Sequence, residues 1–444
     1  MRFDFFRRHD SDNPLAGDAP KEESSAAALP AAAERSADGY VTYALLLDTQ
    51  KRVAGYRLAW HPAAQHNAAG AGELFKALVS CVARHLNPPK TGWRLGHTVL
   101  FFDVTAETLA ASELQGLPPD NVVLCLGLDA LMDADVRPIL LFLREQGFRF
   151  MLCGAEALPE DPELRGLVTH FDVGTGDLDL VAQLRREEPP GQPLHLIATR
   201  IAGWKDFDAC AARRVDVFLD GAGMQPEKKE EEAGRTLQPE SMLIVRLMQM
   251  IQRNEDLREI EAALKHDAAL TYRLLRHINS PAIGVGVEIH SLRHAVTMLG
   301  YSPLFRWLSL LLATSNAKAS PPFLMKKAIM RGRFVELMGE GMLPSGEADN
   351  LFVVGMFSMI DQLLGVTMQE VLGKVQLSES VQQAILAREG VYGPFLALAE
   401  SCDEDGVKAA RLSEALFMST EQVNAAHLSA LVWAQDVSPA EATY

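Results

Sequence analysis

The sequence lacks an apolar run long enough to cross a membrane as a helix, which takes about 20 residues. The nearest candidate, Leu304–Ala313, is too short and contains Arg306. The first ten residues, MRFDFFRRHD, also lack the apolar core and small-residue cleavage site of a secretion signal. These absences predict a cytoplasmic protein without a membrane span.

Cysteine is scarce, with 5 in 444 residues, and no two of them form a Cys-x-x-Cys pair. The odd number and scattered spacing exclude a zinc ribbon and favour reduced thiols.

Positive charge is also in deficit, because 42 Lys and Arg face 58 Asp and Glu for a formal net charge of −16. Phosphate contacts need clustered basic residues, so we expect no nucleic acid among the partners. The hydrophobic share of 48% and the charged share of 23% are ordinary for a globular protein. The length exceeds that of a single core and indicates two domains plus a tail.

The amino-terminal half alternates short apolar runs with amphipathic stretches. Residues 1–40 have little to bury and are predicted to be a disordered tail. In residues 41–224 the predicted strands are Tyr43–Leu47, Thr98–Phe102, Val122–Leu126, Phe148–Leu152, Leu194–Ala198 and Val215–Leu219. Between them the predicted helices include Gly72–Leu86, Val136–Gln146 and Lys205–Ala212. This alternation favours a parallel sheet closed or wound by helices, and the shortness of the segment predicts that some barrel elements are short or missing.

The carboxy-terminal half has a different pattern. Residues 225–240 are polar and are predicted to be a linker, which would let the two halves change orientation. Residues 241–444 show apolar residues at helical spacing and predict an all-α domain. Predicted helices there are Met242–Gln252, Leu257–Lys265, Ala268–Ile278, Ser291–Leu299, Leu304–Ser315, Met325–Leu337, Leu351–Leu364 and Ser378–Ala387.

One motif lies in the segment YALLLDTQKRVAGYRLAWH, residues 43–61. Gly55–Tyr56 and Leu58 match a Gly-Tyr-Glu-Leu-Leu-x-Arg strand, with Arg57 in place of the Glu and His61 in place of the Arg. In these residues the chain resembles an EAL domain, the barrel that hydrolyses cyclic di-GMP. The resemblance implies a TIM-barrel-like α/β fold for the first half, degenerate and incomplete in this chain.

The resemblance also implies where the family's site residues would lie. The corresponding positions here are Arg57, Asp103, Cys125, Cys153, Thr199 and Leu219. EAL chemistry uses two divalent cations held by several carboxylates, and hard cations need such oxygens. Asp103 is the one carboxylate in this set, and a carboxylate beside an arginine forms a salt bridge more readily than a metal site. We therefore expect no catalytic residues, no metal and no cofactor at these positions.

A second motif, LKHDAALTYRLLRHINSPAIGVGVEIHSLRHAVTMLGYSPL, begins at Leu264. It resembles the core of the HDOD domain, an all-helical relative of metal-dependent HD phosphohydrolases. The matching positions are Asp267, Leu270, Leu274–Leu275, Asn279–Ser280, Ile289, Ser291, Ala295 and Leu299–Gly300. The resemblance implies that Asp267 caps a helix rather than forming a metal-binding pair with His266. Asn279 is expected to bond loop backbone at the helix end.

Histidine is missing from residues 295–426, where an HD enzyme would carry a further His-Asp pair and where this chain has Ile360–Asp361. His290 and His294 are four residues apart, a spacing that can bind zinc. An alternative hypothesis is therefore a metallophosphohydrolase built on His266–Asp267 with His290 and His294.

Taken together, these features predict a bacterial-type EAL–HDOD protein that is not an enzyme. It would act in signal transduction or as a scaffold, through contacts with other signalling proteins and with a second copy of itself as a further partner. The other alternative is a cyclic di-GMP receptor that binds without hydrolysis, in which Arg57 would pair with a phosphate.

Overall fold

We analysed a computed structural model of the chain. The described residues are 37–64, 69–188, 191, 193–221, 237–265, 267–279, 289–315 and 320–437. Residues 1–36 of the predicted tail and 225–236 of the predicted linker lie outside these ranges. The tail prediction is wrong for Gly39 and Tyr40, which are buried and begin the first strand, and Pro239 and Glu240 of the predicted linker begin a helix.

The first half forms a closed barrel of eight strands in sequence order. Strand β1 runs antiparallel to both of its neighbours, β2 and β8, and all other neighbours are parallel. The strands are β1 Gly39–Asp48, β2 Val53–Pro62, β3 Val99–Asp103, β4 Val122–Gly127, β5 Arg149–Cys153, β6 Val168–Asp172, β7 His195–Ala198 and β8 Val217–Leu219. The expected barrel class is confirmed. All eight strands are present, and the expectation of short or missing elements is met by the three-residue strand β8 and by the lack of a helix between β1 and β2.

A hairpin replaces the first strand–helix–strand crossover. The Asp48 carboxylate accepts hydrogen bonds from the backbone N–H groups of Gln50 and Arg52, and Lys51 adopts a φ of 62°. Because this turn is too short to hold a helix, no helix of the first crossover covers the outer face of β1 and β2.

Six helices follow the remaining barrel strands. They are α1 Ala71–Leu86, α2 Leu128–Met132, α3 Arg137–Glu145, α4 Pro162–Leu167, α5 Leu178–Glu187 and α6 Trp204–Ala212. The three helices predicted from sequence correspond to α1, α3 and α6 within two residues at each end.

The second half is helical throughout its described residues, as predicted. Its helices are α7 Pro239–Gln252, α8 Leu257–Lys265, α9 Ala268–Ile278, α10 Leu292–Leu299, α11 Tyr301–Thr314, α12 Pro322–Gly339, α13 Ser345–Phe357, α14 Ile360–Leu364, α15 Met368–Val375, α16 Glu379–Ala387, α17 Gly393–Glu404, α18 Gly406–Ala415 and α19 Thr420–Val437. None of the described helices is long and apolar enough to cross a bilayer.

Short polar side chains fix the start of the second half. Asp267 Oδ1 accepts from Leu270 N at 2.8 Å, which confirms its role as a helix cap. Asn279 bonds both the N–H and the carbonyl of Ile289, at 2.7 and 2.8 Å, and so holds the end of α9 beside the start of α10. His266 and Ser280 lie outside the described residues.

The two halves share one hydrophobic core. Strand β8 reaches only the Leu46–Asp48 end of β1, so another partner must satisfy the upper edge of β1. Asn424 of α19 does so, because its amide accepts from Val41 N and donates to Gly39 O, each at 2.9 Å. His427 Nδ1 lies 3.0 Å from Val41 O. A change of orientation between the halves would have to break these buried contacts.

Candidate functional site

The candidate site is the mouth of the barrel, where the carboxyl ends of the parallel strands meet. Below the mouth the barrel is filled by apolar side chains and is a packed core rather than a pore. This interior cluster consists of Leu46, Phe101, Val123, Cys125, Met151 and Ile197. Ligands must therefore bind above it, among the strand ends.

Arg57 and Asp103 form a two-point ion pair at the mouth. Nε of Arg57 lies 3.2 Å from Asp103 Oδ2, and Nη2 lies 2.5 Å from Oδ1. Burial lowers the pKa of Arg57, but the hydrogen bond and charge of Asp103 outweigh burial and raise the pKa above its usual value. The pairing expected for this lone carboxylate is thus confirmed.

Two thiols lie beside this pair. Cys125 is opposite Asp103 in the β3–β4 register, and Cys153 ends the next strand. Burial raises the pKa of Cys125 well above its usual value, and a hydrogen bond with Cys153 raises it further. Cys125 is therefore a neutral thiol at physiological pH, and the Arg57 guanidinium beside it would repel a metal cation.

The remaining candidate positions are held in other contacts. The Thr199 hydroxyl donates to Asp172 Oδ1 at 2.7 Å, and the same oxygen accepts from Gly174 N at 2.8 Å. Leu219 packs against the interior cluster. Asp220, the next residue, faces Lys327 of α12 at 3.4 Å. The structure thus groups Arg57, Asp103 and the two cysteines, and places Thr199 and Leu219 elsewhere on the rim.

These residues do not fit the pair of divalent cations that an EAL barrel uses. A two-metal centre needs several carboxylates facing one point. Here Asp103 is bound by a guanidinium, Asp172 by a hydroxyl and an amide, and Asp220 by an ammonium group. What the mouth does present is a guanidinium that could bind a phosphate at two points.

The candidate HD positions that the structure describes do not form a metal-binding group either. The rings of His290 and His294 stack with their centroids 6.5 Å apart, and Asp361 Oδ1 accepts from Gln362 N at 2.9 Å. Among the described residues, one group of three His, Cys, Asp or Glu side chains is close enough together to hold a metal ion. It lies away from both candidate sites and consists of Cys81, His85 and Glu421. Sequence reasoning missed this group, although the i, i+4 spacing of Cys81 and His85 on a predicted helix was a signal.

Comparison with known proteins supports the architecture. The family profile of the HDOD domain matches residues 237–387. The chain is 29% identical over 276 residues to the cyclic di-GMP phosphodiesterase CdgJ of Vibrio cholerae, covering 61% of this chain and 63% of that protein. The chain therefore matches less than two thirds of the length of this relative.

Solved structures with some likeness to the chain include two complexes with cyclic di-GMP. BlrP1 of Klebsiella pneumoniae, solved with calcium and cyclic di-GMP, has a TM-score of 0.34 and 12% identity over 42% of this chain and 55% of its own. The EAL domain of FimX from Xanthomonas citri, solved with cyclic di-GMP, has a TM-score of 0.33 and 14% identity over 41% and 85%. At scores this low the likeness carries no argument, and the barrel fold rests on the strand topology itself.

These findings correct one prediction and bear out another. The expected HDOD domain is confirmed for residues 237–387, and the expected barrel of the first half is confirmed by the strand order. The prediction that the chain is not an enzyme is contradicted, because the curated relative CdgJ is named a phosphodiesterase.

Proposed function

We propose that this chain, with its EAL–HDOD architecture, is a cyclic di-GMP signalling protein whose barrel mouth binds the nucleotide. The observation that carries the proposal is the Arg57–Asp103 pair at the mouth. The name of the relative CdgJ supplies the ligand class.

The charges at the mouth support a doubly anionic ligand. Arg57 presents a planar guanidinium whose Nε–Nη2 edge donates to the two oxygens of the Asp103 carboxylate. A phosphate group can accept from the same edge with two of its oxygens. Arg200, exposed at the end of β7, places its guanidinium beside Gly174 of the neighbouring loop. Two arginines on one rim match the two phosphates of a cyclic dinucleotide. In this proposal Asp103 competes with the ligand for Arg57.

The test is a calorimetric titration of the whole chain with cyclic di-GMP. We expect a Kd below about 10 µM, and a loss of more than about tenfold for Arg57→Ala. Asp103→Asn should bind more tightly, because it removes the competing carboxylate. Arg253→Ala removes the same charge from the helical half and should leave the affinity unchanged. An absence of binding, or equal affinity in the Arg57→Ala protein, would refute the proposal.

Hydrolysis of cyclic di-GMP should be measured on the same protein samples, because the relative CdgJ is named for that activity. The wild-type chain and Arg57→Ala are compared for nucleotide turnover with magnesium or manganese present. If the mouth is the site of turnover, Arg57→Ala slows it in proportion to the lost binding.

We propose further that the output is contact with other signalling proteins or a second copy of the chain. In support, Met132 of α2 and Phe142 of α3 expose 56% and 52% of their surface on two successive helices of the barrel. Light scattering should show that Met132→Glu with Phe142→Glu reduces any self-association, whereas Phe417→Glu on the helical half should not. We also propose a cytoplasmic location, which the free cysteines support, and the division of the chain at 41–224, 225–240 and 241–444.

A further inference from the structure

The group of three potential metal ligands joins the two halves of the molecule. Cys81 and His85 are one turn apart on α1 of the barrel, and Glu421 lies in the first turn of α19. The Cys81 Sγ, a ring nitrogen of His85 and a carboxylate oxygen of Glu421 all lie within 4.8 Å of one another. His85 Nε2 is 3.2 Å from Glu421 Oε1.

We propose that Cys81, His85 and Glu421 bind a zinc ion that links the barrel to the carboxy-terminal helix. One sulfur, one nitrogen and one oxygen form a ligand set that zinc accepts, whereas magnesium and calcium require oxygen ligands. In tetrahedral zinc, ligand distances of about 2.0–2.3 Å place neighbouring ligand atoms roughly 3.3–3.6 Å apart. The separation of 3.2 Å between His85 Nε2 and Glu421 Oε1 fits this geometry, and the Cys81 sulfur lies within 4.8 Å of a ring nitrogen of His85 and a carboxylate oxygen of Glu421. A water would complete the fourth position.

A bound metal would change the protonation state of the Cys81 thiol. Cys81 is buried, and burial raises the pKa of its thiol to about 12, with a further rise from the charge of Glu421. The metal-free site therefore holds a neutral thiol. A bound cation reverses the local field and displaces the thiol proton, so that binding releases one proton.

In the metal-free protein the positive charge that pairs with Glu421 comes from Arg84. Its Nη1 donates to the same Glu421 oxygen at 2.6 Å. The Arg84 side chain is 61% exposed, so its guanidinium has access to solvent when it leaves Glu421. Arg84 and zinc therefore compete for one carboxylate, and this competition separates a metal site from a simple salt bridge.

The location of the site determines which part of the molecule a bound metal would stabilise. Glu421 lies one turn before Asn424 on the helix that completes the edge of β1. A zinc ion here would fasten α19 to α1 next to that contact and stabilise the junction between the halves.

The experiment titrates the metal-free full chain with zinc chloride, and separately with cobalt chloride. We expect one zinc per chain, a near-ultraviolet thiolate-to-cobalt absorption band, and no uptake of magnesium. Cys81→Ala should abolish the band, and Glu421→Gln should weaken zinc binding by more than about tenfold. Arg84→Gln should strengthen binding severalfold, whereas a salt bridge without a metal role would show no such gain.

The stacked histidines provide the matched control, since they are the other pair with zinc-like spacing. His290→Ala with His294→Ala should leave the stoichiometry and the cobalt band unchanged. The proposal is overturned if the wild-type chain takes up no zinc. It is equally overturned if uptake survives Cys81→Ala with Glu421→Gln, or if Arg84→Gln weakens binding. Circular dichroism of each variant verifies that the helices are intact.

Discussion

Glu336 shows how single residues hold this molecule together. The residue is 4% exposed, and its carboxylate accepts from both terminal nitrogens of Arg306 and from one of Arg333. The Arg306 guanidinium also lies 4.2 Å from the centre of the Phe352 ring. Removing the negative charge would leave two cations facing each other with little solvent.

We predict that Glu336→Gln lowers the free energy of unfolding by about 3 kcal/mol. Glu340, one turn later, makes a longer contact of 3.4 Å to Arg333 and is mostly exposed. Glu340→Gln should change stability by less than about 0.5 kcal/mol. Urea denaturation of both variants measures the difference, and equal effects would contradict the argument.

At this scale the sequence predicted some contacts and not others. The Arg57–Asp103 pair could be anticipated, because adjacent strands place the two side chains at the same rim. The bond between Thr199 and Asp172 and the approach of Lys327 to Asp220 could not, since these depend on strand register and on a helix more than 100 residues away.

Among the elements, α12 and α13 cross closely at two glycines. A Cβ on Gly355 would lie 2.7 Å from the Arg331 carbonyl oxygen and 2.8 Å from Gly332 Cα. These atoms are backbone and cannot move aside without separating the helices. The close crossing therefore requires glycine at position 355.

We predict that Gly355→Ala destabilises the protein by about 1–3 kcal/mol, because the added methyl group overpacks the crossing. Gly373, inside α15, has no atom within 4 Å of an added Cβ. Gly373→Ala should therefore stabilise by up to about 1 kcal/mol through helix propensity. Thermal unfolding of the two variants should show shifts of opposite sign, and shifts of the same sign would exclude this account.

The elements themselves were largely predictable from hydrophobic periodicity. Strand β6 was missed as a strand because its sequence, VTHFD, places Thr169 and His170 where apolar residues usually mark a buried strand. The helices after Ala387 were not individually predicted. They pack against both β1 and other helices, contacts that depend on the barrel of the first half and that periodicity alone does not reveal.

At the scale of the whole molecule, His427 joins the halves. It is 5% exposed, bonds Val41 O, and stacks on Phe334 with the ring centroids 4.4 Å apart. Burial lowers its pKa below the usual 6.5, although the charge of Asp403 and the hydrogen bond to Val41 oppose this. In the barrel interior, burial and His195 lower the pKa of His170 to about 3.

We predict that stability falls as pH decreases below about 6.5, because the unfolded chain then binds protons that the folded chain excludes. His427→Gln keeps a donor for Val41 O and should make this fall shallower, leaving the part due to His170. His97→Gln, an exposed position, should leave the slope unchanged. Thermal midpoints measured from about pH 7.5 to about pH 5 provide the comparison. A slope equal in wild type and His427→Gln would contradict the assignment.

The sequence divided the chain into two halves and predicted both fold classes. It could not show that they share a core, because Asn424 and Val41 are 383 residues apart and neither belongs to a recognisable motif. The polar stretch between the halves suggested that they move independently of each other. The structure shows instead that the edge of β1 that β8 does not reach is hydrogen-bonded by Asn424 of α19.

Hydrogen–deuterium exchange of the whole chain, with and without cyclic di-GMP, tests the central claim most directly. The account predicts slower exchange at the ends of β2 and β3 around Arg57 and Asp103, with a further change in α12 and α19 where they contact the barrel. Unchanged exchange at the barrel mouth under saturating nucleotide, or protection confined to the helical half, would contradict it.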